Sequence, residues 1–307
     1  MNKIKNYLSL ISIFLFIFCL FKYTYILNKS VLDSVNLWIN KVFPSLFIMF
    51  ILNDIIINTN ILKNIVSLIN PIFNKIFNTS NNSFEAFLLS IFSGTPSSAF
   101  ILKEMLQNNK LDIISANKLI SFTFFANPLF LYNILNTSFN QTITLKIILI
   151  HYFSNIIIGL IYRKNTSTNI NYNDDYHPKS IIQILPLSIK KSLDTLLMIL
   201  GTITFYTIIT NLVVHIFKIN TIATVLIKGL FEITQSLNII NTIKCTSIIK
   251  ETIAISIISF GGLSIHTQII CLLDNTSISY KYFFKGRILH TIISALTYII
   301  CSTVLTS

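Results

Sequence analysis

The chain has 307 residues, 53% of them hydrophobic and only 11% charged, with a formal net charge of +12 at pH 7. A soluble domain carries about 25% charged residues, and so few ionisable side chains cannot cover a body of this size in water, which excludes an ordinary soluble globular protein and indicates a multi-pass membrane protein. No nucleic-acid motif accompanies the basic excess, so the lysines read as loop residues facing anionic lipid, and no nucleic acid is expected as a partner.

Lys3 and Lys5 precede a first apolar run, 8–27, with no Ala-x-Ala site after it. It reads as an uncleaved span, long enough for about 30 Å of hydrocarbon. The second run, 35–57, carries Trp38 near one end and Pro44 inside. Run 61–77 is shorter, broken by Pro71, and suits the interface or an oblique crossing. Runs 84–102 and 113–135 each have a breaker near the middle, Ser93-Gly94-Thr95-Pro96 in one and Asn127-Pro128 in the other. Run 143–162 closes a first membrane half, 1–162. Residues 163–191 hold five Lys or Arg and two Asp. They read as a polar linker loop on the cytoplasmic side. A second half, 192–307, follows with runs 192–217, 219–230, 233–243, 248–273 around Gly261-Gly262, and 288–305. About eight to eleven membrane segments result, several too short to cross as helices.

A break inside an apolar run frees backbone polar groups, each costing several kcal/mol in hydrocarbon, so it persists only where protein or a water-filled cavity covers it. Transporters use such breaks to aim half-helix ends at a solute near the midplane. The first half offers Ser93, Gly94, Thr95, Ser97 and Ser98, then Asn127. The second offers Glu232, Thr234 and Gln235, then Gly261, Gly262, Ser264 and Gln268. From 94 to 127 is 33 positions, and from 232 to 261 is 29. The expected fold is therefore an all-α polytopic membrane protein of two half-repeats with re-entrant hairpins and broken transmembrane helices, and these thirteen residues are the candidate substrate-binding set.

Glu232 is the sharpest of them, because a carboxylate in an apolar setting needs a partner or a task. The alternative places it at the membrane surface beside Lys228, four residues earlier. Glu251, next to Lys250, reads as interfacial. His151, His215 and His290 read as isolated, and the four cysteines as small hydrophobes. No metal site and no cofactor is expected. No Walker motif, His-Glu-x-x-His or nucleophile elbow occurs, so no enzymatic activity is expected either.

Five stretches in order along the chain, Val42-Phe-Pro-Ser-Leu-Phe47, Ser93-Gly-Thr-Pro-Ser-Ser-Ala99, Ala126-Asn-Pro-Leu-Phe130, Lys228-Gly-Leu-Phe-Glu-Ile-Thr234 and Ser259-Phe-Gly-Gly-Leu-Ser-Ile-His-Thr-Gln268, resemble the YlbJ (SpoVV) family of sporulation integral membrane proteins. That family is grouped with nucleoside-recognition or Gate domains and is related in fold to concentrative nucleoside transporters. The resemblance implies a carrier moving dipicolinic acid, a small anionic metabolite, across the outer forespore membrane during sporulation. It leaves open a homo-oligomer or a sporulation membrane partner. A carrier of a nucleoside or another metabolite, and a scaffolding membrane protein working through 163–191, are the alternatives. The chain departs from the family pattern at Ser98, where a glycine is usual, and at Phe100, where a lysine is usual, which leaves Lys103 as a source of positive charge.

Overall fold

A computed structural model describes residues 2–59, 61–80, 82–164 and 180–304, and every element among them is helical. Residues 165–179, most of the expected linker, lie outside the described residues. Helix α1 (Asn2–Lys22) gives way at Tyr23 to α2 (Thr24–Leu37), which runs through a π turn, Trp38–Val42, into α3 (Phe43–Thr59). The first break thus falls at Tyr23, and the polar stretch after Leu27 is helix rather than loop. Its hydroxyls turn back onto their own helix: Ser30 Oγ donates to Ile26 O at 2.7 Å and Ser34 Oγ to Ser30 O at 2.8 Å. The π turn has a local cause in Pro44. Proline gives no N–H to the carbonyl of residue 40 and its ring crowds that carbonyl, and a wider turn absorbs the misfit.

Helix α4 (Lys63–Phe77) buries Val66, Asn70, Phe73 and Phe77 and exposes the apolar row Ile65, Leu68, Ile72 and Ile76. Helices α5 (Ser83–Ser93) and α6 (Ser97–Gln107) form a tight hairpin. Helix α7 (Ile113–Phe122) ends in an extended stretch, 123–127, before α8 (Pro128–Leu135), and α9 (Gln141–Ile161) follows. Helix α10 (Ile181–Ile216) begins inside the stretch expected to be linker. The Ser180 N–H donates to Gln183 Oε1 at 3.4 Å, and the apolar Ile-Ile-x-Ile-Leu run after Ser180 carries the helix past Lys190 and Lys191.

The second half repeats the order of the first. Helices α11 (Thr221–Phe231) and α12 (Ile233–Ile239) form a hairpin, α13 (Ser247–Phe260) and α14 (Gly262–Leu273) form a broken helix, and α15 (Tyr280–Val304) is the long helix after it. Helix α15 starts earlier than expected because Arg287 turns inward instead of marking an end. Among the described residues, five helices are long and apolar enough to cross a membrane: Thr24–Thr59, Gln141–Ile161, Ile181–Ile216, Ser247–Leu273 and Tyr280–Val304. The broken one, Ser247–Leu273, is the most enclosed, with 61% of its apolar window buried. It sits at the centre.

Helix α10 runs antiparallel to the α2–α3 rod along its whole length. Tyr23 stacks edge-on against His215 with ring centroids 5.3 Å apart. Asn211 Nδ2 donates to Ser30 Oγ at 2.8 Å, Trp38 Nε1 to Leu196 O at 3.0 Å, and Ser188 Oγ to Asp54 Oδ2.

Behind the breaks lies a buried cation. Arg287 Nη2 donates to Ser121 O at 2.9 Å and to Asn155 Oδ1 at 3.3 Å, and Nη1 to Ser259 O at 3.5 Å. Its guanidinium lies 4.0 Å from the Phe124 ring centre. Ser121 and Ser259 are next to last in α7 and α13. The partial negative ends of both interrupted helices therefore meet one guanidinium. His151 and His290, expected to be isolated, belong to the same cluster: His290 Nε2 donates to His151 O at 2.9 Å, and the Ala126 N–H donates to His151 Nε2 at 3.2 Å. Glu251 is also buried rather than interfacial, accepting from Tyr298 Oη at 2.6 Å. These long-range pairings bring together residues far apart in sequence, where no local pattern announces them.

Candidate solute-binding cleft

Each hairpin tip docks on the break that follows it. In the first half the tip is Gly94, with φ of 71°, followed by a cis Thr95–Pro96 bond. A β-carbon on Gly94 would collide with the Asn127 backbone, so only glycine lets tip and break approach this closely. Two polar groups tie them together. The Thr95 N–H donates to Phe125 O at 2.8 Å, and Asn127 Nδ2 donates to Phe92 O at 2.9 Å. Asn127 Oδ1 also accepts the Phe130 N–H at 3.0 Å, capping α8, which opens on Pro128. Proline at the first helical position and asparagine before it are the pairing a helix start favours.

In the second half the tip is Glu232, extended between α11 and α12. Its Oε1 accepts from both Thr234 N at 3.0 Å and Thr234 Oγ1 at 2.9 Å, so the carboxylate caps α12. Gly261 and Gly262, both left-handed, make the break between α13 and α14. A β-carbon on Gly262 would sit 3.1 Å from Phe231 O, at the hairpin tip.

Between the two docked pairs lies a narrow, half-open cleft with a cavity volume of about 50 Å³, smaller than the sites that hold drug-sized molecules. Its walls stand close. Thr95, Asn127, Glu232, Thr234, Ser264 and Gln268 from the expected set all face it. Four half-helices, α6, α8, α12 and α14, begin beside it and bring their partially positive ends to its edge. Glu232 is the one ionisable side chain lining it, 2% exposed. It makes no ion pair with Lys228 among the described residues, so the surface reading does not describe it. Gln268 Nε2 donates to Thr202 Oγ1 of α10 at 2.6 Å. Ser264 Oγ is buried beside the Glu232 carboxylate.

The other expected residues lie elsewhere. Ser93 Oγ bonds back to Leu89 O at 2.7 Å inside α5. Gly94, Gly261 and Gly262 shape the breaks but do not line the cleft. Ser98 is buried in the hairpin and Gln235 lies outside the cleft wall. Ser97 lines a neighbouring cavity. Lys103 donates to Asp274 O at 3.3 Å, away from the cleft. The ammonium over the Phe100 ring, 5.3 Å from its centre, belongs to Lys191. Sequence reasoning missed the apolar wall: Val42 and Leu46 from the π turn and α3, Phe130 from α8, Ile199 and Ile203 from α10. In an apolar chain nothing distinguishes those side chains from lipid-facing ones. Among the described residues no group of three or more His, Cys, Asp or Glu could hold a metal ion.

The chain is 26% identical over 302 residues to the sporulation integral membrane protein YlbJ of Bacillus subtilis (strain 168), an alignment covering 85% of this chain and 74% of that protein. No protein-family model matches the chain, and no solved structure matches it.

Proposed function

We propose that this chain, a member of the YlbJ family of sporulation integral membrane proteins, is a carrier that binds a small polar solute in the cleft between the two hairpin tips and moves it across a sporulation membrane by alternating access. The observation that carries the reading is the convergence of Thr95, Asn127, Glu232, Thr234, Ser264 and Gln268, from both halves, on one cleft where four half-helices begin. A membrane scaffold has no use for interrupted helices whose broken ends bring polar side chains together on one cleft. Dipicolinate, carried across the outer forespore membrane, is the solute the family resemblance points to. The starts of α6 and α14, which no side chain caps, and the hydroxyls suit carboxylate oxygens.

Glu232 favours a second solute class. It is an acceptor of hydrogen bonds and a repeller of anions, and no cationic side chain lines the cleft with it. A neutral, hydroxyl-rich solute such as a nucleoside meets no such repulsion. Uptake of labelled dipicolinate into liposomes holding the purified protein decides between them. Saturable uptake that unlabelled nucleosides do not reduce supports dipicolinate. Uptake of labelled nucleoside instead makes that the solute. Folded protein that moves neither overturns the carrier reading for both classes.

A further inference from the structure

A second cavity lies next to the cleft, toward the side where α10 begins, its walls one helical turn further along α3 and α10 and one residue further along the hairpin. On the hairpin, Pro96 of the cleft is followed by Ser97 of the second cavity; on α3, Leu46 by Phe50; on α10, Ile199 by Thr195. The second cavity shares Asp54 and Lys191 with a third, whose walls include Asn58 near the end of α3, Asn108 just past α6 and Gln183 in the first turn of α10. Polar side chains are concentrated in the third cavity and on one side of the second, whose other walls are Phe50, Ile57, Phe100 and Ile101. Asn53, on the wall of the second cavity and 6% exposed, has a buried Nδ2 without a hydrogen-bond partner among the described residues.

One ion cluster crosses this row of cavities. Lys191 Nζ lies 3.3 Å from Asp54 Oδ1 and 3.2 Å from Glu104 Oε1. The two bonds differ in what they join. Asp54 is on α3, which is zipped to α10 and also holds Asp54 through Ser188. Glu104 is on α6, in the hairpin that carries Thr95. The Lys191–Asp54 pair therefore stays within one packed unit, and the Lys191–Glu104 pair bridges that unit to the hairpin.

We propose that this row of cavities is the route by which solute reaches the cleft from the side where α10 begins, and that the Lys191–Glu104 pair is the gate across it. The proposal rests on the carrier reading and adds the direction of access and a preference. A solute carboxylate can take the place of Glu104 on the ammonium while Asp54 keeps hold of it, so the gate opens by exchange of one carboxylate for another. A neutral solute has no such exchange to offer. Glu104, with 22% of its side chain exposed, sits in a partly exposed pair of the kind that is weak enough to break.

The test reads the passage rather than transport. Ser97→Cys, placed in a chain whose four native cysteines are replaced, reports access to the middle of the route through its rate of reaction with a membrane-impermeant maleimide in liposomes. With Glu104 intact the reaction is slow. Glu104→Gln speeds it at least tenfold, and Lys191→Arg, which keeps both pairs, leaves it slow. Equal rates in the parent and in a Glu104→Gln protein of unchanged unfolding temperature overturn the gate. Faster labelling in a protein that moves no solute keeps the gate and sinks the carrier reading; saturable uptake with no change in labelling does the reverse.

Discussion

Glu232 has two duties that substitution can separate. Its carboxylate holds Thr234 by two hydrogen bonds and so starts α12, and its charge faces the cleft. Glutamine at 232 keeps an acceptor oxygen for Thr234 and removes the charge. Alanine removes both. Glu232→Gln is expected to unfold in detergent close to the parent temperature, and Glu232→Ala to lose about 1–3 kcal/mol through the missing cap and the unpaired Thr234 donors. Solute binding changes in both. Thermal unfolding followed beside solute binding checks this, and equal stability of the two variants would show that the cap carries no weight. The charge and the tip position were legible in the sequence, but the capping bond to Thr234 was not. An acid beside Lys228 looks the same at a membrane surface as at a hairpin tip, and the choice is made by Thr234 and the extended backbone at 232.

The hairpins and broken helices were legible for a physical reason. Glycine, proline and clustered hydroxyls stand out in an apolar chain because lipid tolerates no free backbone group. Positions such as Gly94 and Gly261 therefore announce themselves. What supports those breaks from behind was not legible. Arg287 lies 166 residues from Ser121 and 28 from Ser259, the carbonyls it joins, and nothing local separates it from a loop arginine near Lys281 and Lys285. At this scale Arg287 is expected to be the pin of both interrupted helices. Arg287→Gln leaves the Ser121 and Ser259 carbonyls without the guanidinium in a buried site and should cost on the order of 3 kcal/mol. Lysine, with a single ammonium, should rescue only part of that, because it cannot reach carbonyls on two helices in a planar fork. Unfolding temperatures in one detergent rank the three proteins. A Lys variant as stable as the parent would show that charge alone, without the fork, holds the two ends.

The whole molecule is one order of elements used twice, hairpin, broken helix and long helix, with the α2–α3 rod and α10 as its longest antiparallel pair. Helix α10 has 36 residues, about 54 Å of rise against about 30 Å of hydrocarbon. It therefore tilts steeply or projects, and either leaves room beside it for the cleft and the run of cavities. The docking of each hairpin on the break that follows it also has a consequence for how the protein is made. Helices α5 and α6 have 11 residues each, about 17 Å of rise apiece, and cannot cross a bilayer. Their tip is satisfied by Phe125 and Asn127, which are synthesised later. A chain emerging from the ribosome must keep this hairpin waiting at the membrane surface until the next helix arrives to receive it. Ribosome-bound chains whose residues only up to 112 have emerged should have a hairpin tip open to protease, and chains whose residues up to 161 have emerged should have it protected. Protection already complete at the shorter length would mean that the hairpin enters the bilayer without its partner, and that the order of insertion is not set by the docking seen in the finished protein.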